Sequence, residues 1–385
     1  MINILQSRYR LSLLALISLL VGACAQQPAL QALPSGTSTE IRNTYIVQHV
    51  EQLLEKQQTL SSPGISLLIR HQGQTVYAGA KGAATIDNKG GSAFTPLTKN
   101  STFYIASVTK PITAIAIMQL VERGQLDLND PMNKWLPNMP ISYQDITINH
   151  LLTHRSGLPN STTIFLLDKV EQFNNVSNQT LLRRYQTEDY LIFQPGTNSR
   201  YLNINYLILA EIINKVSGLS YKDYLQENIF SPLGMGATFV HSGALPGTGT
   251  MALNHGKDLR PYGITWALVG AMGIYSTVGD LSKLIEGLAK GMLISQQSLQ
   301  LMTQDQTKNQ VDWRSNHYGF GWYVPKYSQG LGQYYHSGSV DGYMSLLYIN
   351  QTHDYSLVAL GNGGDSTGQL ISLIGQIVRR AYLLH

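Results

Sequence analysis

From Asn43 onward the chain alternates between two hydrophobic periods. Ile46, Val50, Leu53 and Leu54 recur at helical spacing, so Tyr45 to Leu54 reads as an amphipathic helix. Gly64 to Arg70 is then a β-rich run, and the polar stretch His71-Gln72-Gly73-Gln74 turns it into a second run, Thr75 to Ala80. The middle of the chain is helical in pattern. Val108 to Arg123 is apolar at helical spacing and stops at Gly124; Thr147 opens a helix to Arg155 that stops at Gly157. Asn203 to Val216 carries Tyr206, Leu209, Ile213 and Val216 on one stripe before Gly218, and Gly279-Asp280 opens a helix through Leu288. Strand signals return at Tyr318 to Val324, Gln333 to His336, Met344 to Ile349 and Tyr355 to Leu360, and Leu370 to Leu384 closes the chain as a helix. Strands at both ends with helices between them predict an α+β fold. Its antiparallel sheet of about five strands, flanked by helices, is built from residues 43–106 and 280–385, with a mostly helical subdomain, 107–279, inserted.

The first residues follow another pattern. Arg8 and Arg10 precede an apolar stretch, Leu11 to Leu20, broken only by Ser12 and Ser18, and Gly22-Ala23 then precede Cys24. The stretch is shorter than the roughly 20 residues of a membrane span and reads as an export signal over 1–23. Leu20-Val21-Gly22-Ala23-Cys24 resembles a bacterial lipobox, which implies lipidation of Cys24, the only cysteine in the chain. Residues 24–42 are rich in Gln, Pro, Ser, Thr and Gly and read as a flexible tether. The expectation is an exported protein held by its lipid at the cell envelope, with Ala25 after the cysteine pointing to an outer membrane facing the periplasm.

Composition narrows the classes. Hydrophobic residues make up 43% and charged ones 13%, so a large core is expected rather than disorder. The net charge of +4 comes without a Lys/Arg block, so no nucleic-acid partner is expected. Tyrosine outnumbers phenylalanine 22 to 8, which suits a polar-lined cleft.

Three short motifs carry candidate chemistry. In Ser107-Val108-Thr109-Lys110, residues three apart on a helix share a face, so the Lys110 amine can lie beside the Ser107 hydroxyl. A serine hydroxyl needs such a base to become a nucleophile, and the N–H of a residue at a helix start is free to hold an oxyanion. In Tyr201-Leu202-Asn203, a tyrosine beside an ammonium is a candidate proton shuttle, and Asn203 can bind both Lys110 and a substrate amide. His336-Ser337-Gly338 ends a strand and leads into Ser339, whose N–H can complete the oxyanion site, while Gly338 admits a close backbone approach. His241-Ser242-Gly243 repeats the letters of the third motif without a following strand pair and reads as a loop turn. His150 and His154 stand four apart, but no Glu follows His150 as a zinc-protease helix requires, so no metal is expected and His154 reads as structural.

Together these residues resemble the serine penicillin-binding and class C β-lactamase-like superfamily, which includes β-lactamases, D,D-peptidases and esterases. The likeness extends to Phe103-Tyr104-Ile105-Ala106, Leu151 to Pro159, Phe193 to Gly196, Pro232 to Met235, Gly273 to Thr277 and Tyr318 to Trp322. It implies catalysis by Ser107, Lys110 and Tyr201, substrate and oxyanion contacts from Asn203, His336, Gly338 and Ser339, and no cofactor. The implied substrate is a D-alanyl peptide, a β-lactam or a related amide or ester derived from small molecules or peptidoglycan. A carboxylesterase and a non-catalytic envelope-binding protein are the alternatives. Two departures bear on substrate: His336 stands where class C β-lactamases carry Lys, and Leu202 stands where a small Ser is usual, which narrows the site. A histidine is charged only part of the time near neutral pH, so it is a poorer anchor for a substrate carboxylate than lysine.

Overall fold

The computed structural model describes residues 33–34, 36–86, 94–160, 177–241, 252, 268–307, 317–325, 332–340 and 342–382. The export signal and Cys24 lie outside the described residues. Helix α1 (Thr39–Gln57) starts ahead of the expected Asn43. Ser38 caps it by accepting the Ile41 N–H, and Glu40 sits in its first turn, so local capping chemistry extends the helix into the tether.

The chain then forms β1 (Ile65–His71) and β2 (Gln74–Lys81), joined through Gln72 and Gly73 at φ 49° and 71°, the positive angles of a tight hairpin turn. Strands β3 (Ala83–Ile86) and β4 (Phe94–Pro96) pair with each other, and β5 (Phe103–Tyr104) leads to the helical region. That region holds α2 (Thr109–Glu122), α3 (Met132–Trp135), α4 (Ile148–Leu152), α5 (Asn178–Tyr185), α6 (Asn203–Ser217) and α7 (Tyr221–Leu225). Strands β6 (Phe239–Val240) and β7 (Ile274–Ser276) follow and join β5 in a small sheet, a feature that helical periodicity did not announce. After α8 (Val278–Ala289) and α9 (Gln296–Met302), the chain completes the large sheet. It does so with β8 (His317–Tyr318), β9 (Tyr323–Val324), β10 (Gln333–Val340), β11 (Tyr343–Asn350) and β12 (Tyr355–Gly361). Helix α10 (Asp365–Tyr382) ends the described fold.

The large sheet runs β2-β1-β12-β11-β10-β9-β8 with every pair antiparallel. Its five long strands match the expected α+β sheet, and the two-residue strands β8 and β9 extend its edge. Side chains alternate across it with period two. Ile65, Leu67, Ile69, Leu357, Ala359, Met344 and Leu346 face α1 and α10, where they pack with Ile46, Val50, Leu370 and Ile374. Val358, Leu360, Tyr343 and Leu347 face the other way, into the core shared with α2, α6 and α8.

Helix α2 lies at the centre of that second core. Every residue from Thr109 to Leu120 is buried, so the helix is enclosed all round rather than buried along one stripe. From Ser101 to Leu120 only Ser107 escapes burial. The candidate nucleophile is therefore the one point at which this central segment meets solvent.

Candidate active site

Ser107 sits in a three-ten turn, Ala106–Val108, that precedes α2. Ala106 adopts φ 46°, a left-handed conformation that costs a non-glycine residue about 1–3 kcal/mol and is found where surrounding structure imposes it. The imposing contacts are visible. Ile105 N–H donates to Ile274 O at 3.0 Å, and the Ser345 hydroxyl on β11 donates to Ile105 O at 2.7 Å. Gly338, opposite Ser345 in the β10–β11 register, lies directly against the same turn. A β-carbon there would fall 2.6 Å from Ile105 O and 2.8 Å from Ser107 N. The glycine is thus required by the approach of the candidate nucleophile's own backbone, and the Ser345 hydroxyl, nearer still to the same point, crowds it further. Strand β10 does not end at His336, as its pattern implied, but continues through Ser337, Gly338 and the exposed Ser339 to Val340.

Lys110, one helical turn after Ser107, is fully buried. Its Nζ lies 3.1 Å from Ser107 Oγ, 2.8 Å from Asn203 Oδ1 and 3.0 Å from Ala271 O, and it stands 4.8 Å from the centre of the Tyr201 ring. A buried ammonium is costly unless hydrogen-bonded, and three acceptors plus an aromatic face meet that need. The two carbonyl oxygens can only accept. Of these three, Ser107 Oγ can either accept from an ammonium or donate to a neutral amine, so a proton can cross at that contact without disturbing the two carbonyls.

Asn203 is the first residue of α6, and the extended backbone of Leu202, φ −138° and ψ 131°, precedes it. In extended chain, alternate side chains share a side, which sends Tyr201 and Asn203 together toward Lys110. Leu202 points the other way and is buried in the core, so it does not narrow the cleft as its size implied. The Ala271 carbonyl is held in place from behind. Gly270, at φ 101°, packs against the α6 backbone where a β-carbon would meet Tyr206 O, and its carbonyl accepts from the Thr113 hydroxyl at 2.7 Å.

His336 lies in the neighbourhood of Tyr201, with ring centres 6.2 Å apart, but its side chain is fully buried. Its Nδ1 lies 2.8 Å from Ser337 O and its Nε2 3.0 Å from the Tyr318 hydroxyl. The neutral ring satisfies both: Nδ1–H donates to the carbonyl and Tyr318 O–H donates to Nε2. Burial pushes the Tyr318 and Tyr206 phenols well above their ordinary range, so both hydroxyls keep their protons. His336 was expected to touch substrate; its ring lies instead beneath the surface, bonded to the protein on both nitrogens.

His150 and His154 do not share a helix. His150 completes a capping box with Thr147 at the start of α4, which ends at Leu152, and His154 stands beyond it at φ 57°. His241 follows β6, and the other two residues of that repeated triplet lie outside the described residues. Three contributors were not legible in advance: the Ala271 carbonyl, the Ser345 hydroxyl and the Tyr318 hydroxyl. A carbonyl has no residue-type signature, and the other two act only through partners far away in sequence.

These features are of the kind a serine hydrolase needs, and the comparisons give the family. The sequence profile of the Beta-lactamase family matches residues 46–378, and the chain belongs to that family. A penicillin-binding protein of Bacillus subtilis (strain 168) is 29% identical over 337 residues, covering 83% of this chain and 72% of its own. The octameric penicillin-binding protein homologue from Pyrococcus abyssi superposes with a TM-score of 0.68 at 26% identity, over 88% of this chain and 77% of that one. D-amino acid amidase from Ochrobactrum anthropi SV3 shares the fold at TM-score 0.70 and 23% identity, over 89% of this chain and 97% of that one.

Proposed function

We propose that this protein hydrolyses an amide or ester through an acyl-enzyme on Ser107. The observation that carries the reading is the Lys110 ammonium site, in which Nζ lies 3.1 Å from Ser107 Oγ, a partner able to exchange a proton with it, and is held from behind by Asn203 Oδ1 and Ala271 O. Ser107 Oγ bonds to the substrate carbonyl carbon while its proton passes to Lys110 or Tyr201. The resulting oxyanion is held by the N–H groups of Ser107 and Ser339. As the intermediate collapses, the bond to the leaving group breaks and Tyr201 supplies the proton that the departing nitrogen or oxygen needs. Water then attacks the acyl-enzyme, releases the acid and restores Ser107.

The substrate class we favour is a D-alanyl peptide, a β-lactam or a related amide or ester. The penicillin-binding relatives support it, as does an export signal that would deliver the enzyme, lipid-anchored through Cys24, to the cell envelope. A carboxylesterase is the second reading, and one observation favours it: His336 is committed to Tyr318 and Ser337, so it presents no cation to a free carboxylate.

The test is intact-protein mass after incubation with a fluorescent penicillin and, separately, with a fluorophosphonate. An adduct on the parent protein that disappears in Ser107→Ala supports the reading. A folded parent protein that reacts with neither probe and turns over neither ester nor peptide would overturn it in favour of a binding protein.

A further inference from the structure

His154 holds three consecutive residues of the Tyr201 segment at once. Its backbone carbonyl accepts the Arg200 N–H at 2.9 Å, its Nδ1 accepts the Leu202 N–H at 3.2 Å, and its ring packs 4.3 Å from the Tyr201 ring. The N–H groups of the residues on either side of Tyr201, Arg200 and Leu202, therefore both end on one residue. We infer that His154 is a positioning residue, which sets the Tyr201 phenol against Lys110 by offering a permanently unprotonated Nδ1 to the Leu202 amide; this rests on the acyl-enzyme reading above.

The state of that nitrogen follows from its surroundings. Asn205 Nδ2 also lies 3.0 Å from Nδ1, and the Asn205 amide is oriented by the Ser156 hydroxyl, which donates to its Oδ1 at 2.7 Å. Two N–H donors thus converge on one ring nitrogen, and a proton there would face both. The ring proton is left to Nε2, among the rings of Tyr201, Tyr206 and Tyr318. Burial, reinforced by the Lys110 charge, holds the imidazole well below its usual range, in keeping with the neutral form.

The backbone of His154 separates this role from ordinary packing. At φ 57° most residues are strained, whereas Gly and Asn are tolerated. His154→Gly removes ring and acceptor without backbone strain. His154→Asn keeps that backbone and puts an amide oxygen where Nδ1 accepts the Leu202 N–H. The experiment measures kcat and KM for an ester substrate, the fluorophosphonate labelling rate of Ser107 and thermal melts for the parent, both variants and Ser107→Ala. The expected result is a kcat and labelling rate about 100-fold lower in His154→Gly with KM within about threefold, and recovery to within about tenfold of the parent in His154→Asn. Parental labelling in a folded His154→Gly overturns the inference, as does equal loss in both variants that follows their unfolded fraction. A parent protein unlabelled at Ser107 overturns the acyl-enzyme reading itself, and this one with it.

Discussion

Gly338 on β10 and Ser107 ahead of α2 approach so closely that the strand has no room for a side chain: a β-carbon on Gly338 would lie 2.8 Å from the Ser107 nitrogen. Strand β10 and the candidate nucleophile's turn are therefore packed without slack, tied also by the Ser345 hydroxyl on Ile105 O. Of the three atoms nearest that β-carbon, the Ser345 hydroxyl could rotate aside, but Ile105 O and Ser107 N are backbone atoms and cannot. Gly338→Ala is expected to destabilise the fold by about 1–3 kcal/mol, the cost of overpacking. Because relief requires moving Ser107, it also lowers the acylation rate by more than tenfold. Urea unfolding and fluorophosphonate labelling of the same preparation check both effects. An alanine variant that labels at the parental rate would show that the turn and the strand move independently.

In the proposed acyl-enzyme mechanism Lys110 and Ser107 act on one proton, so their removal should not be additive. Lys110→Met keeps length and apolar bulk but leaves Asn203 Oδ1 and Ala271 O without their donor. It is expected to lower kcat/KM by about 10²–10⁴-fold, the range of a lost general base. Ser107→Ala should lower it at least as far, and the double variant should be no slower than Ser107→Ala alone. Rates from the single and double variants under one set of conditions decide it. Two multiplying losses would mean that the residues serve separate steps.

What could be read in advance divides along the reach of each interaction. The placement of Lys110 beside Ser107 was legible because a helix turn brings residues three apart together, whereas Tyr201 and Asn203 were singled out as a motif whose common direction, set by the extended Leu202, only the structure shows. The ends of α4 and α1 were misjudged because capping by Ser38 and the left-handed His154 outweigh hydrophobic spacing. Leu202 and His336 were assigned to the cleft by residue type. Their direction is set by partners such as Tyr318 and the α6 core, which no local pattern reveals. Ala271 was out of reach for the same reason, since its part is a carbonyl placed by the packing of Gly270 on Tyr206.

His154 also makes a prediction for stability. Burial lowers its pKa in the folded protein, so between pH 6.5 and that lower value the unfolded chain binds a proton that the native state refuses. Stability must therefore fall as pH falls below 6.5. His71 and His241, lowered by burial as well, act in the same direction. Each such proton contributes about 1.4 kcal/mol per pH unit across its window. His154→Asn removes one of them, so its unfolding free energy should decline less steeply from pH 6.5 downward, by up to that slope. Urea titrations of the two proteins at pH 7.5, 6.5 and 5.5 measure the difference, and parallel lines would mean that His154 takes up a proton in the folded state.

His336 is expected to matter for stability more than for charge recognition. His336→Phe keeps an aromatic ring in the cavity but removes the Nε2 contact of the Tyr318 hydroxyl and leaves the Ser337 carbonyl without the Nδ1–H. A buried polar group stripped of its partner costs about 1–3 kcal/mol, which urea unfolding will register. If the ring makes no contact with substrate, the variant should not alter discrimination between a D-alanyl peptide bearing a free carboxylate and its C-terminal amide. The ratio of kcat/KM for that pair is expected to stay within about threefold of the parent, well under the tenfold that 1.4 kcal/mol of lost ion pairing would produce. A selective loss of the carboxylate substrate would instead mean that His336 leaves Tyr318 during turnover and meets the substrate as a cation. In that case the peptide reading would gain over the ester one.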